Sequence, residues 1–144
     1  MDEESFGFQE AKKLLLALLP SERNNLLDKI TLKDPKLAEL LKKHLYQFED
    51  LVYLSPKMLI ELLREVSLEQ MGTALKGGSE KLQNFIKDNI SKNMQEELNE
   101  YLAGRLVPVS KVEDCIDEVM KIVTRKIEKG ELVLDRGSSE TIIE

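Results

Sequence analysis

One histidine and one cysteine are present among 144 residues, so the side-chain chemistry open to this chain is narrow. His44 lies in Lys42-Lys43-His44-Leu45, at the edge of a leucine stripe. Positive charge is favoured near a helix C-terminus, and His44 reads as a surface or boundary residue of that kind. A zinc site needs several His or Cys ligands, and no second histidine or spaced cysteine completes one. Cys115 follows Glu113 and Asp114. Acidic neighbours raise a thiol pKa and oppose nucleophilic use, so Cys115 reads as a buried structural thiol. Gly77-Gly78-Ser79 looks like a phosphate loop, but it lacks the G-x-x-x-x-G-K-[ST] spacing and follows a helix instead of a strand. The 27 acidic residues could supply a carboxylate pair, yet they fall on exposed helix faces and not in an apolar pocket that would shift a pKa. The chain is therefore expected to be no enzyme and to hold no metal or cofactor. A carboxylate-dependent enzyme would need a concave pocket around two such groups.

The polar faces carry more information. On a helix spanning residues 91–103, Asn93, Glu96, Glu97 and Glu100 recur three and four apart and form one ridge. Lys76 ends a preceding helix, and Lys92 and Arg105 flank the ridge. Two readings apply. The plain one is a solvated face that keeps the protein soluble. The sharper one is a docking ridge, whose charges govern encounter and orientation more than raw affinity.

The elements that must position this ridge are helical almost from end to end, because apolar residues recur at helical spacing. Phe8, Ala11, Leu15 and Leu18 form a first stripe, broken at Pro20-Ser21, and Leu26, Leu27 and Ile30 a second. Asp34-Pro35 opens a third helix, with Asp34 as N-cap, and Leu37, Leu40, Leu41 and Leu45 inward. Tyr46 and Phe48 stand two positions apart and cannot share one helical face, so the chain leaves regular helix there and connects two modules. Ser55-Pro56 starts the second module, with Met58, Leu59, Leu62, Leu63 and Val66 inward. Ser67 and Gln70 form a capping box for a helix that ends at Gly77. Gly72 inside it costs about 1 kcal/mol relative to Ala and leaves room for a close helix contact. Ser79 caps a helix with Leu82, Phe85, Ile86 and Ile90 inward; Ser91 caps the ridge helix, with Met94, Leu98 and Leu102 inward and Gly104 closing it. Residues 105–109 form a loop. A capping box at Ser110 and Glu113 then opens the longest helix, with Val112, Ile116, Val119, Met120, Val123 and Ile127 inward and Gly130 at its end. Glu131-Leu132-Val133-Leu134 is extended and packs back, and the tail 135–144 frays. No strand pair is evident, so the expected class is all-α.

Composition agrees. The chain is 42% hydrophobic and 33% charged, and a domain of about this length buries enough surface to need no metal or disulfide staple. A single cysteine makes a reducing compartment the default. The densest apolar run, Leu14–Leu19, is too short to span a bilayer, and the start MDEES is acidic where a signal peptide is basic. A net charge of −6 and a pI near 5.0 argue against nucleic acid as a partner.

Several segments in order resemble one family. Gln47-Phe48-Glu49-Asp50-Leu51-Val52, Leu62-Leu63-Arg64-Glu65-Val66, Ala74-Leu75-Lys76-Gly77, Asn89-Ile90-Ser91-Lys92, Val112-Glu113 and Gly130-Glu131-Leu132-Val133-Leu134 are similar to the C-terminal part of the flagellar motor switch proteins FliG. Order and spacing match from about Ala11 to Ile143, with one deletion near Arg105. The resemblance implies an armadillo-like module over 8–45, a hinge over 46–48, a six-helix motor domain over 49–134 and a flexible tail over 135–144. Leu45, Tyr46, Gln47 and Phe48 occupy the place of the family's Met-Phe-x-Phe hinge, with the first two changed. In the family, charges on one helix engage a cytoplasmic loop of the stator. Lys76 matches a basic position, Asn93 falls where the family usually has Arg, Glu100 matches the first of an acidic pair, Tyr101 replaces the second, and a further Arg falls near the uncharged Pro108. Lys92 and Arg105 are candidate substitutes.

The resemblance thus implies a non-enzymatic rotor and switch component at the cytoplasmic face of the bacterial inner membrane. Its stator-facing residues would be Lys76, Lys92, Asn93, Glu97, Glu100, Tyr101 and Arg105. Its partners would be the MotA-like stator loop, the switch protein FliM and neighbouring copies in a ring, without nucleic acid and without membrane insertion. The alternative is a divergent paralogue or helical adaptor that binds a non-motor protein and transmits no torque.

Overall fold

The structure is a computed structural model that describes residues 2–104 and 106–134. The expected tail, 135–144, and the candidate residue Arg105 lie outside the described residues. Among the described residues the fold is all-α. The chain divides into two compact units, with the boundary between Gln47 and Phe48.

The first unit holds α1 (Asp2–Ala17), α2 (Pro20–Lys33) and α3 (Pro35–Leu45). The three helices contribute two, one and three side chains in turn to a small core of Phe8, Leu15, Leu27, Ala38, Leu41 and Leu45, all buried. Asp34 caps α3 by accepting a hydrogen bond from the Leu37 amide at 3.2 Å, which satisfies one of the orphan donors of a helix start. Leu40 departs from the expected inner stripe: it is exposed, and Ala38 takes the inward place. Position 38 leads Leu41 by three and Leu45 by seven, so the stripe is centred one residue away from Leu40. His44 is exposed, and its ring meets the edge of Phe8 at a centroid distance of 4.8 Å. Its predicted boundary position is the one observed.

The second unit begins with a 3-10 helix, Phe48–Tyr53. It continues through α4 (Pro56–Leu62), α5 (Leu68–Leu75), α6 (Glu80–Asp88), α7 (Lys92–Ala103) and α8 (Val109–Glu128). Four serine caps close the starts of α4 to α7: Ser55, Ser67, Ser79 and Ser91 accept from the amides three residues on, at 3.1 to 3.2 Å. The box expected at Ser67 is only half made, because the Gln70 side chain donates across to Glu118 on α8. The box expected at Ser110 does not form. α8 starts two residues earlier, with Pro108 in place of Ser110 at the cap, and the Pro108 carbonyl accepts from the amides of Lys111 and Val112.

α5 is the hub. It packs against both α7 and α8, and Met71, Gly72, Thr73, Ala74 and Leu75 are all buried. A helix buried on every side must be short and small-sided where neighbours cross. A Cβ at Gly72 would stand 2.6 Å from the Tyr101 Cβ, and one at Gly77 would stand 2.9 Å from Val112 Cγ1. These glycines let α7 and α8 approach the α5 backbone. The close contact expected at Gly72 is present.

After α8, Gly130 turns the chain with a φ of 76°, a conformation that glycine adopts at no steric cost. The segment 131–134 then packs back, with Leu132 and Leu134 buried. Lys126 is the unexpected core member. Its side chain is 3% exposed, and its ammonium sits between Glu65 at 3.1 Å and Glu131 at 3.2 Å. Arg125 pairs with the same Glu65.

Candidate protein-docking surface

α7 owes its exposed face to its own periodicity. Leu98 is fully buried, and Met94 and Leu102, four residues to either side, are half-buried. The opposite positions, Lys92, Asn93, Glu96, Glu97, Asn99 and Glu100, are all exposed. The three glutamates lie on adjacent turns, so their carboxylates form a continuous anionic strip with one cation, Lys92, at the helix start.

Neighbouring elements fix α7 at both ends. Near its start, the Gln95 amide donates to the Lys87 carbonyl at the end of α6. In its middle, Leu98 and Tyr101 sit against Gly72 of α5. At its end, the Lys76 ammonium donates to the Leu102 carbonyl at 3.1 Å. Lys76 and Tyr101 are half-buried, not fully exposed like the glutamates. The candidate residues thus fall into two sets. Lys92, Asn93, Glu97 and Glu100 point to solvent, whereas Lys76 and Tyr101 are engaged within the unit. Glu96 belongs with the exposed set.

Leu106, in the loop before α8, and Val109, the first residue of α8, are both largely exposed. Cys115, on α8, is half-buried. Burial first, then Glu118, pushes its thiol pKa above the ordinary value, which keeps it protonated. No group of acidic, histidine or cysteine side chains that could hold a metal occurs among the described residues. No described helix is long and apolar enough to cross a membrane.

Leu45, Tyr46, Gln47 and Phe48 are placed differently from one another. Leu45 is the last residue of α3, and the Tyr46 amide still donates to the Lys42 carbonyl at 2.9 Å, completing that helix. Gln47 is exposed. Phe48 opens the 3-10 helix and its ring lies over Gly78, where a Cβ would come within 3.3 Å. Next to it, Glu49 accepts from the Ser79 amide at 2.8 Å and from the Ser79 hydroxyl.

The inner stripe read from apolar residues alone omits Lys126, which is buried. Its spacing was the available signal: 126 follows Val119 and Val123 by seven and three on the inner stripe of α8.

Comparison with known proteins adds the following. A model of the FliG C-terminal domain matches residues 28–134. The flagellar motor switch protein FliG of Thermotoga maritima is 30% identical over 141 residues, covering 95% of this chain and 41% of that protein. FliG of Bacillus subtilis is 29% identical over 138 residues, with the same two shares. The structure of full-length FliG from Aquifex aeolicus superposes with a TM-score of 0.72 at 30% identity, covering 86% of this chain and 39% of that one. The chain spans about two-fifths of the length of these curated relatives.

Proposed function

The chain belongs to the FliG C-terminal domain family, and from that premise we propose that it is a non-enzymatic rotor and switch component of a bacterial flagellar motor. It acts at the cytoplasmic face of the inner membrane. The exposed strip of Glu96, Glu97 and Glu100 on α7 meets the cytoplasmic loop of a MotA-like stator. The first unit contacts FliM and neighbouring copies in a ring. The segment Leu45–Phe48 lets the two units reorient, which is the kind of two-state element that direction switching needs.

The observation that carries this reading is the anionic strip. Three carboxylates on one solvent-facing side of a helix, held by a rigid α5, present a fixed field to a partner. Such fields speed encounter and set orientation, and salt weakens them. Binding of a synthetic stator-loop peptide to the chain, measured against ionic strength, tests the reading. Affinity is expected to fall steeply with salt and to collapse in a Glu97→Lys, Glu100→Lys double variant. A peptide that binds equally well at all salts and to the double variant removes the electrostatic contact.

One observation favours a second reading. Asn93 and Tyr101 carry no charge at positions where the resemblance implies one, and Lys76 is engaged with Leu102. A paralogue or adaptor that binds a protein without transmitting torque fits that reduced set. Swimming of a strain lacking the gene separates the two: normal motility supports the adaptor.

A further inference from the structure

α7 is poorly provided for by its own sequence. A helix ends with four carbonyls that lack an internal partner and carry partial negative charge. Basic side chains in the last turn, or a glycine in the left-handed conformation just beyond it, commonly answer that need. α7 has no basic residue in its last turn, and Gly104 has a φ of −75°, outside the left-handed region. Its charges even run against the helix dipole, with Lys92 at the start and Glu100 near the end.

The missing cation comes from another helix. Lys76, at the end of α5, reaches the Leu102 carbonyl at 3.1 Å. The chain uses the same device in its first unit. α1 also lacks a basic residue in its last turn, and Arg23 of α2 donates to the Leu15 and Leu18 carbonyls at 2.9 and 3.2 Å. In both units a cation borrowed from a sequential or packed neighbour closes a helix end.

We propose that Lys76 is a positioning residue for the docking face of α7 and not one of the charges that meets the partner. This rests on the docking reading above. Together with the Gly72 notch beneath Tyr101, it fixes the height and rotation of α7, and so the place of Glu97 and Glu100. The surface offered to the partner is then anionic apart from Lys92.

The test uses the whole chain. Lys76→Met removes the charge and keeps the stem; Lys76→Arg keeps a donor. In Lys76→Met, amide exchange at residues 101–104 is expected to accelerate about tenfold, with α8 unchanged. In Lys76→Arg it is expected to stay as in the parent. The stator-loop peptide should bind Lys76→Met more weakly but with the same salt slope, because no interfacial charge is lost. Unchanged exchange at 101–104 in Lys76→Met overturns the proposal. So does a salt slope reduced as it is in Glu97→Gln, since that marks a direct contact. If the parent binds no peptide, the docking reading fails while the exchange data still decide whether Lys76 secures α7. Lys76→Gln replaces the Met variant if that one does not fold.

Discussion

In the first unit Leu14, Leu16, Leu19 and Leu32 stand in solvent, Leu32 with 86% of its surface exposed. In the second unit the exposed face of α7 offers Glu96, Glu97 and Glu100. The difference has a physical meaning. Apolar surface gains from being covered whatever the ionic strength, so exposed leucines suit a lasting interface. Charged surface gains little affinity but much speed and orientation, and it releases easily. The proposed rotor role, in which one unit stays assembled while the other meets a passing partner, fits that division. The cores follow it too. The first is a small core of six side chains, and the second is built around α5, whose residues 71–75 are all buried.

The largest effect that would sharpen this contrast comes from two glycines. Gly72→Val drives a branched side chain into Tyr101 and Leu98 and is expected to cost the second unit about 3 kcal/mol or more. Gly7→Ala, on α1, meets nothing within 4 Å and should stabilise the first unit by up to about 1 kcal/mol through helix propensity. Calorimetry of both variants checks the opposite signs. Two losses of similar size would mean that the first unit is packed as tightly as the second.

Next in size is the buried cation. Lys126→Ala removes a buried stem as well as a charge and is expected to cost about 2 kcal/mol. Its pH signature distinguishes it from a simple cavity. Hydrogen bonding to Lys126 holds the Glu65 carboxyl below its ordinary 4.5. That contribution is therefore present above 4.5 and is lost as pH falls through the depressed value. The bond to Glu65 raises Lys126 above its ordinary 10.5, so its share is present below 10.5 and is lost as pH rises through the raised value. Urea unfolding of the parent and of Lys126→Met should differ by a constant amount between those limits and converge outside them. A pH-independent difference would assign Lys126 to packing alone.

How far the sequence revealed this arrangement can be judged from particular residues. The starts of α3 to α7 were legible because a cap is a local matter: Asp34, Ser55, Ser67, Ser79 and Ser91 each act on an amide three residues away. The start of α8 was not, because Pro108 serves without a side-chain bond. The exposed glutamates of α7 were legible from period alone. Lys76 and Lys126 were not, because each is fixed by a partner distant in the chain: Leu102 is 26 residues from Lys76, and Glu65 is 61 from Lys126. Charge type predicts exposure only while no such partner is supplied.

A smaller effect probes α7 itself. Ser91→Ala removes the hydroxyl that accepts from Met94 and should cost about 1 kcal/mol. Amide exchange should show the loss in the first turn of α7 and leave its last turn, where Lys76 acts, unchanged. Exchange that rises along the whole helix would mean that its two ends are not held independently.

The smallest effect on stability bears most directly on the two kinds of surface. Leu32→Gln and Glu97→Gln each change a side chain that makes no core contact, so each should alter stability by less than about 0.5 kcal/mol. Their effects on association should part. Glu97→Gln lowers the salt dependence of stator-loop binding, because one charge of the strip is gone. Leu32→Gln leaves that binding and its salt dependence as they were. It should instead weaken association of the first unit with FliM or with another copy of the family's ring-forming part, by an amount that salt does not change. Sedimentation of such mixtures at low and high ionic strength reads both. If the loss in Leu32→Gln grows or shrinks with salt as it does for Glu97→Gln, the leucines are not acting as an apolar seam, and the division of labour between the two units has no physical basis.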